Sequence, residues 1–314
     1  MPDDLDHSPL TAPVDPAAAV AHAKANGDRP ARDVACCAFL FALITATFSG
    51  FLSIPLSMYL TDAHPDGGVG VRLLGLLPLL IGLGLVVLVA FLVSRSGRQQ
   101  RIDHYRIMQF ATRNGMGYRM KVKDPQQPAG VFHIGTSRCA VDVVNIEGPR
   151  PVEIGQHTYL AGHHNAEPFR WGYATTPLDA DLPHLLLNSR AKRMGRVNES
   201  GKDPLGQPDL RGPGAEAFSV SGPYGRAREI QALLDRTLFS PDLLARYAER
   251  PVHVEIVENR LYFFSPEPLS TTDPDTWRRL LALLTDTAER LESRARPAGA
   301  EEDRSCGLPQ PDAG

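Results

Sequence analysis

The chain has 314 residues and a formal net charge of −3 with histidine neutral. Residues 95–296 carry 28 basic and 24 acidic side chains, too slight an excess to argue for nucleic acid. Four cysteines without a C-x-x-C pair signal neither a zinc site nor a redox couple, and they fit a reducing compartment.

Residues 1–33 hold three basic and six acidic side chains and lack hydrophobic periodicity, so a disordered N-terminus is expected. No residue is charged from Val34 to Thr61, and none from Leu73 to Ser94. A helix rises about 1.5 Å per residue, so about 20 residues cross a hydrocarbon layer of roughly 30 Å. Both runs are long enough, and helices apolar on every face are built for lipid or for a deep core. They predict transmembrane helices at 34–61 and 73–94, joined by a short external loop at 62–72. A cleaved signal peptide does not fit, because a long polar segment precedes the first run and no A-x-A site follows it.

Lys24, Arg29 and Arg32 precede the first span and Arg95, Arg98, Arg101 and Arg106 follow the second, whereas the loop offers Arg72 alone. Positive charge stays inside, so the expectation is a multi-pass plasma-membrane protein with both termini cytoplasmic. The four arginines behind the second span set topology and would also face anionic headgroups. Within the first span Ala38, Ala42, Ala46 and Gly50 recur every four residues. Such a ridge of small side chains is a packing face, toward the second span or toward another copy in a homo-oligomer. No charged residue lies in either span, which argues against a proton relay or an ion path there.

Residues 95–296 read as a cytoplasmic, largely antiparallel α+β domain. A helix continues to about Asn114, where Gly115 and Gly117 end it. Strands are expected at Val131 to Ile134, Cys139 to Ile146, Val152 to Ala161 and Phe169 to Pro177, then a long loop over 198–214 and a short strand at Ala217 to Ser221. Helices follow at Arg226 to Thr237 and after Ser240-Pro241, where Ser is the N-cap and Pro the first helical residue. Val252 to Val257 and Arg260 to Phe264 form a hairpin about Glu258-Asn259. A last helix starts at Asp273-Pro274, and Trp277, Leu280, Leu281, Leu284, Ala288 and Leu291 mark its buried stripe over one sheet face. The acidic tail at 297–314 is expected to be disordered.

Several residues, taken together, resemble a family. These are the two-span hairpin, Gln109-Phe110-Ala111 with Asn114-Gly115, Arg170-Trp171-Gly172-Tyr173, Leu182-Pro183-His184, Phe218, Phe239-Ser240-Pro241-Asp242-Leu243, Val254-Glu255-Ile256-Val257 and Leu261-Tyr262-Phe263-Phe264. The chain resembles a family of uncharacterised actinobacterial two-span membrane proteins over roughly residues 34–265. The resemblance implies membrane location and a shared domain, and it implies no activity. Where the Trp-Gly-Tyr strand of such proteins follows a basic hairpin tip, this chain has His163-His164-Asn165-Ala166-Glu167.

His157, His163, His164 and Glu167 gather near that tip, and imidazoles with a carboxylate are zinc ligands. Adjacent strand residues point to opposite faces, however, so the same residues also fit an exposed polar loop. Arg170, Trp171 and Tyr173 offer a recognition surface, since arginine and aromatics are enriched at interaction hot spots. The competing expectation is that Trp171 and Tyr173 pack beneath the last helix. Gly195 to Lys202 is not a phosphate loop: its spacing is one residue too long and Asp203 stands where Ser or Thr is required. No nucleophile elbow, zincin or kinase motif occurs, so no cofactor, metal or catalytic residue is assigned. The helix pair at 226–250 carries acids and leads directly into a hairpin, so no nucleic-acid partner is expected.

These readings leave a membrane-anchored interaction or scaffold module, with the lipid bilayer and a cytosolic protein as partners. The alternative is a membrane-bound enzyme whose cytoplasmic site uses residues such as His163, His164 and Asp142. A channel-like oligomer would have only Thr45, Thr47, Ser49, Ser53 and Ser57 to line a pore.

Overall fold

A computed structural model describes residues 5–26, 32–63, 74–162, 166–192, 194 and 205–295. Contacts divide the chain into two units, one formed by Met1–Ala12 with Arg106–Gly314 and the other by Pro13–Tyr105.

In the second unit, Asp15 accepts a bond from Ala17 N and caps helix α2 (Pro16–Ala25). Two long helices follow, α3 (Arg32–Ala63) and α4 (Leu77–Arg113), and the last eight residues of α4 belong to the first unit. Both are long and apolar enough to cross a membrane. Their large side chains are bare: Phe48 is 69% exposed, Phe51 78% and Ile81 63%. Where α3 and α4 meet, the contact is hydroxyl against glycine. A Cβ on Gly82 would collide with the Ser49 side chain, and one on Gly75 would stand 2.8 Å from Ser57 Cα. Ser53 is buried and returns its hydroxyl to the Ser49 carbonyl at 2.7 Å. Helix α3 therefore touches α4 through Thr45 and Ser49, and the residues just before α4 through Ser57. The alanine ridge lies beside that line: Ala42 and Gly50 are half-buried, Ala46 is exposed, and nothing stands within 4 Å of a Cβ built on Gly50. The side chain of Ala38 lies outside the described residues.

The first unit is built on one eight-stranded sheet: β1 (Gly117–Lys123), β2 (Thr136–Ile146), β3 (Val152–Ala161), β4 (Glu167–Pro177), β5 (Leu185–Ser189), β6 (Phe218–Ser221), β7 (His253–Val257) and β8 (Arg260–Ser265). The strand order is β1-β2-β3-β4-β8-β7-β5-β6, and every neighbouring pair is antiparallel. The α+β architecture with an antiparallel sheet is thus as the sequence indicates. The hairpin between β7 and β8 turns at Glu258 and Asn259, both with positive φ (46° and 54°), the geometry whose twist suits a two-residue loop.

One face of the sheet is covered by helices α6 (Ala227–Arg236), α7 (Pro241–Glu249) and α8 (Pro274–Ala295), over a core with Trp277, Phe263 and Ile154. Short helix α5 (Pro213–Ala217) precedes β6. Asp273 caps α8 by accepting from the amides of Asp275 and Thr276. All six predicted stripe residues of α8 are buried. Ser240 occupies the N-cap of α7, but its hydroxyl accepts from Arg290 at 2.6 Å instead of capping. With the Arg246–Asp286 pair at 2.6 Å, this ties α7 to α8.

Three expectations are corrected. Val131 to Ile134 is not a strand; Gly130–His133 is a 3-10 turn lying over the sheet face opposite the helices. Strands β1 and β5 are additional: β1 carries a period-two signal in Tyr118, Met120 and Val122 between Arg119, Lys121 and Lys123, whereas the leucine run of β5 has no period. Residues 5–26, placed in a disordered N-terminus, form helices α1 (Ser8–Thr11) and α2. Leu10 is buried against Phe110 and the Trp277 core, and burial of one such side chain contributes about 1.5–3 kcal/mol. Asn114 clamps the segment by accepting from Asp6 N (2.7 Å) and donating to Asp6 O (3.0 Å). Asn114→Ala is expected to cost about 1–2 kcal/mol and to speed amide exchange at residues 6–11, measurable by hydrogen–deuterium exchange. Unchanged exchange there would refute the clamp. The tail at 297–314 and loop residues 64–72 lie outside the described residues.

Candidate functional site

The sheet face away from the helices concentrates titratable groups. Cross-strand pairing aligns Glu153, Thr175, Tyr262 and Glu255 in one row across β3, β4, β8 and β7. Above the row lies the segment between β1 and β2, whose Phe132 packs edge-on to Tyr173 at 5.0 Å. Beneath it Glu153 Oε1 accepts from Tyr173 OH (2.8 Å) and Gln127 Nε2 (2.9 Å), and Oε2 from Arg119 at 3.1 Å. Gln127 Oε1 in turn accepts from Tyr262 OH at 2.9 Å. Burial pushes the Tyr262 phenol up to about 12, and burial together with the Glu153 carboxylate raises Tyr173 well above its usual value. Both phenols therefore stay neutral donors at physiological pH.

The sharpest pair is Glu255 with His184. Glu255 is 2% exposed; its Oε1 accepts from Gly130 N at 3.2 Å and lies 3.1 Å from His184 Nε2. Oε2 has no hydrogen-bond partner among the described residues. A buried carboxylate fixing one imidazole nitrogen leaves the other to meet solvent or a ligand, the arrangement that general bases use. No sequence motif marks His184 as one of a pair. The two residues stand 71 positions apart and only the β5–β7 pairing unites them.

His157 and His253 share this face. His157 is fully buried between Phe132 (4.5 Å) and Tyr159 (5.6 Å); neither ring nitrogen meets full hydrogen-bond geometry among the described residues, although the Val131 backbone is near enough to favour the protonated ring. Burial lowers its pKa to about 4. His253 receives Ser189 N on Nδ1 and gives Nε2–H to the Met194 carbonyl, which fixes its tautomer, and burial lowers its pKa too.

The proposed metal set does not assemble. His157 pairs with Trp171 while Glu167 is exposed four residues away on β4, about 13 Å along the strand. His163 and His164 lie outside the described residues, and among the described residues no three His, Cys, Asp or Glu side chains gather for a metal. The recognition surface is corrected as well. Arg170 is exposed, but Trp171 and Tyr173 are buried, and not beneath α8: they lie on the opposite face under Phe132. Strand alternation puts Arg170 and Gly172 on the other side. Asp142 is buried and accepts from Tyr118 OH at 2.8 Å. Of the arginines behind the second apolar run, Arg95 and Arg98 are exposed, while Arg106 donates to the Ala12 carbonyl at 3.2 Å.

Compared with protein-family profiles, curated proteins and solved structures, the chain matches none.

Proposed function

We propose that this protein is a two-span membrane protein whose cytoplasmic domain is an interaction or scaffold module. The observation that carries the reading is the bare apolar surface of α3 and α4, since soluble proteins rarely leave contiguous apolar patches beyond a few hundred Å² uncovered. The distribution of Arg95 and Arg98 against the loop favours cytoplasmic termini. Chain connectivity supports the same topology: residues before Pro13 and after Tyr105 belong to one unit, so an even number of crossings keeps them together. Membership of the actinobacterial two-span family, a cytosolic protein partner and self-association through the Ala42–Gly50 side of α3 belong to this proposal.

The test is fractionation and topology in cells. The full chain is expected to stay in the membrane pellet at alkaline pH and to dissolve only in detergent. A C-terminal tag should resist protease added to intact cells and be cut once the membrane is opened. A chain soluble without detergent, or a tag cut from outside, refutes the topology. The Glu255–His184 pair favours a second reading, a membrane-bound enzyme with that imidazole as base. Under it, His184→Asn would abolish the cellular phenotype of the gene while leaving thermal unfolding unchanged; an unaffected phenotype would count against it.

A further inference from the structure

The end of the β1–β2 pair holds a second feature, independent of whether the apolar helices cross a membrane. A groove of about 510 Å³ opens there, lined by Lys121, Lys123, Asp124, Arg138, Cys139 and the turn Gly135–Ser137. Lys121 and Lys123 sit two apart on β1, so their side chains leave the same side of the strand about 6.6 Å apart. Register places them opposite Val141 and Cys139 of β2. Neither ammonium has an ion-pair partner among the described residues. Both act on the Cys139 thiol, lowering its pKa against a burial that raises it more.

The third cation is held in place. Arg138 Nε donates to Asp124 Oδ1 at 2.7 Å and Nη1 to the His133 carbonyl at 3.2 Å. Asp124 is thereby spent on Arg138, which keeps its carboxyl below the usual range. Three cations thus face the groove against one carboxylate, and Thr136 and Ser137 add hydroxyl donors. Gly135 (φ 70°) and Ser137 (φ 55°) turn the backbone around the opening. Lysines on an edge strand also discourage sheet-to-sheet aggregation. That role requires neither a concave wall, nor a pinned guanidinium, nor hydroxyls.

We propose that this groove binds a phosphate-bearing anion of the phosphomonoester type, with Lys121 and Lys123 neutralising its charge and Arg138, Thr136 and Ser137 orienting its oxygens. A free phosphate compound and the headgroup of an anionic lipid present the same chemistry.

The full chain in phosphatidylcholine nanodiscs is titrated with inorganic phosphate at constant ionic strength set by chloride, and binding is read by calorimetry. Saturable binding is expected, weakened about tenfold or more in Lys121→Gln/Lys123→Gln, whose exposed substitutions leave tryptophan-monitored unfolding unchanged. In nanodiscs containing phosphatidic acid, loss of phosphate binding assigns the groove to the headgroup, and retained binding assigns it to a soluble ligand. Binding that chloride reproduces, or that the double variant keeps, overturns the proposal. Equal weakening by Arg113→Gln, an arginine outside the groove, would show general charge attraction and overturn it too.

Discussion

Gly172→Val is expected to lower the stability of the first unit by about 4 kcal/mol, the largest effect of any single substitution considered. Gly172 lies in β4 between Gln156 of β3 and Ser265 of β8, so the strand cannot bow away. A Cβ there would collide with the Glu267 carbonyl oxygen and stand 2.7 Å from Leu269 N and 2.9 Å from Leu269 Cγ. Two of these neighbours are backbone atoms, and no rotamer change removes backbone. The segment they belong to is stiff: Pro266 and Pro268 flank Glu267, its amide is bonded to Ser265 Oγ at 3.1 Å, and Leu269 is fully buried. Denaturant unfolding of the detergent-solubilised chain measures this. Trp171 and Trp277, the only tryptophans, report the two sheet faces separately. Gly97→Ala in α4, with nothing within 4 Å, is the control and should leave the midpoint of the first unit in place. A native-like midpoint for Gly172→Val would mean that loop 266–269 does not close over β4.

Acidification is expected to loosen the opposite face through His157. Its folded pKa is about 4, below the ordinary value of 6.5, because burial disfavours the imidazolium; the Val131 backbone opposes, Arg138 pushes the same way as burial and Asp124 against it. A depressed histidine contributes stability that is complete above pH 6.5. That stability falls as the pH drops from 6.5 toward 4 and levels off below it, because the unfolded chain takes up the proton first. The full loss is about 3 kcal/mol at 1.36 kcal/mol per unit. His253, also buried and lowered, adds a loss of the same sign in the same direction of pH. His157→Phe replaces the ring with one that fits beside Phe132 and cannot be protonated. In unfolding midpoints taken between pH 7 and pH 4, the variant should show a slope shallower than wild type by that amount. Equal slopes would mean that His157 is hydrated or partnered in solution.

Elements governed by local rules were legible from the sequence. The Glu258-Asn259 turn, the Asp273 cap and the Trp277-to-Leu291 stripe each need only a few neighbouring residues, and each is found where it was read. What failed depends on partners far along the chain. Leu185, Leu186 and Leu187 form β5 because β7 and β6 flank it, and a run of three leucines carries no period. Leu10 orders its four-residue helix only because Phe110 and Trp277 stand ready, a hundred or more positions away. Alternation puts Trp171 and Tyr173 on one strand face, but it cannot tell which of two covers lies above it. The Glu255–His184 pair left no spacing signal, since a cross-strand contact has none to leave.

One consequence concerns biogenesis. Leu10 leaves the ribosome long before Phe110, yet the two complete one core, with α3 and the apolar part of α4 between them in the chain. On the proposed topology, a chain that crossed the bilayer once would strand Leu10 on the far side from its socket. Closure of the core around Leu10 therefore requires both ends of the intervening segment to reach the same side of whatever that segment occupies.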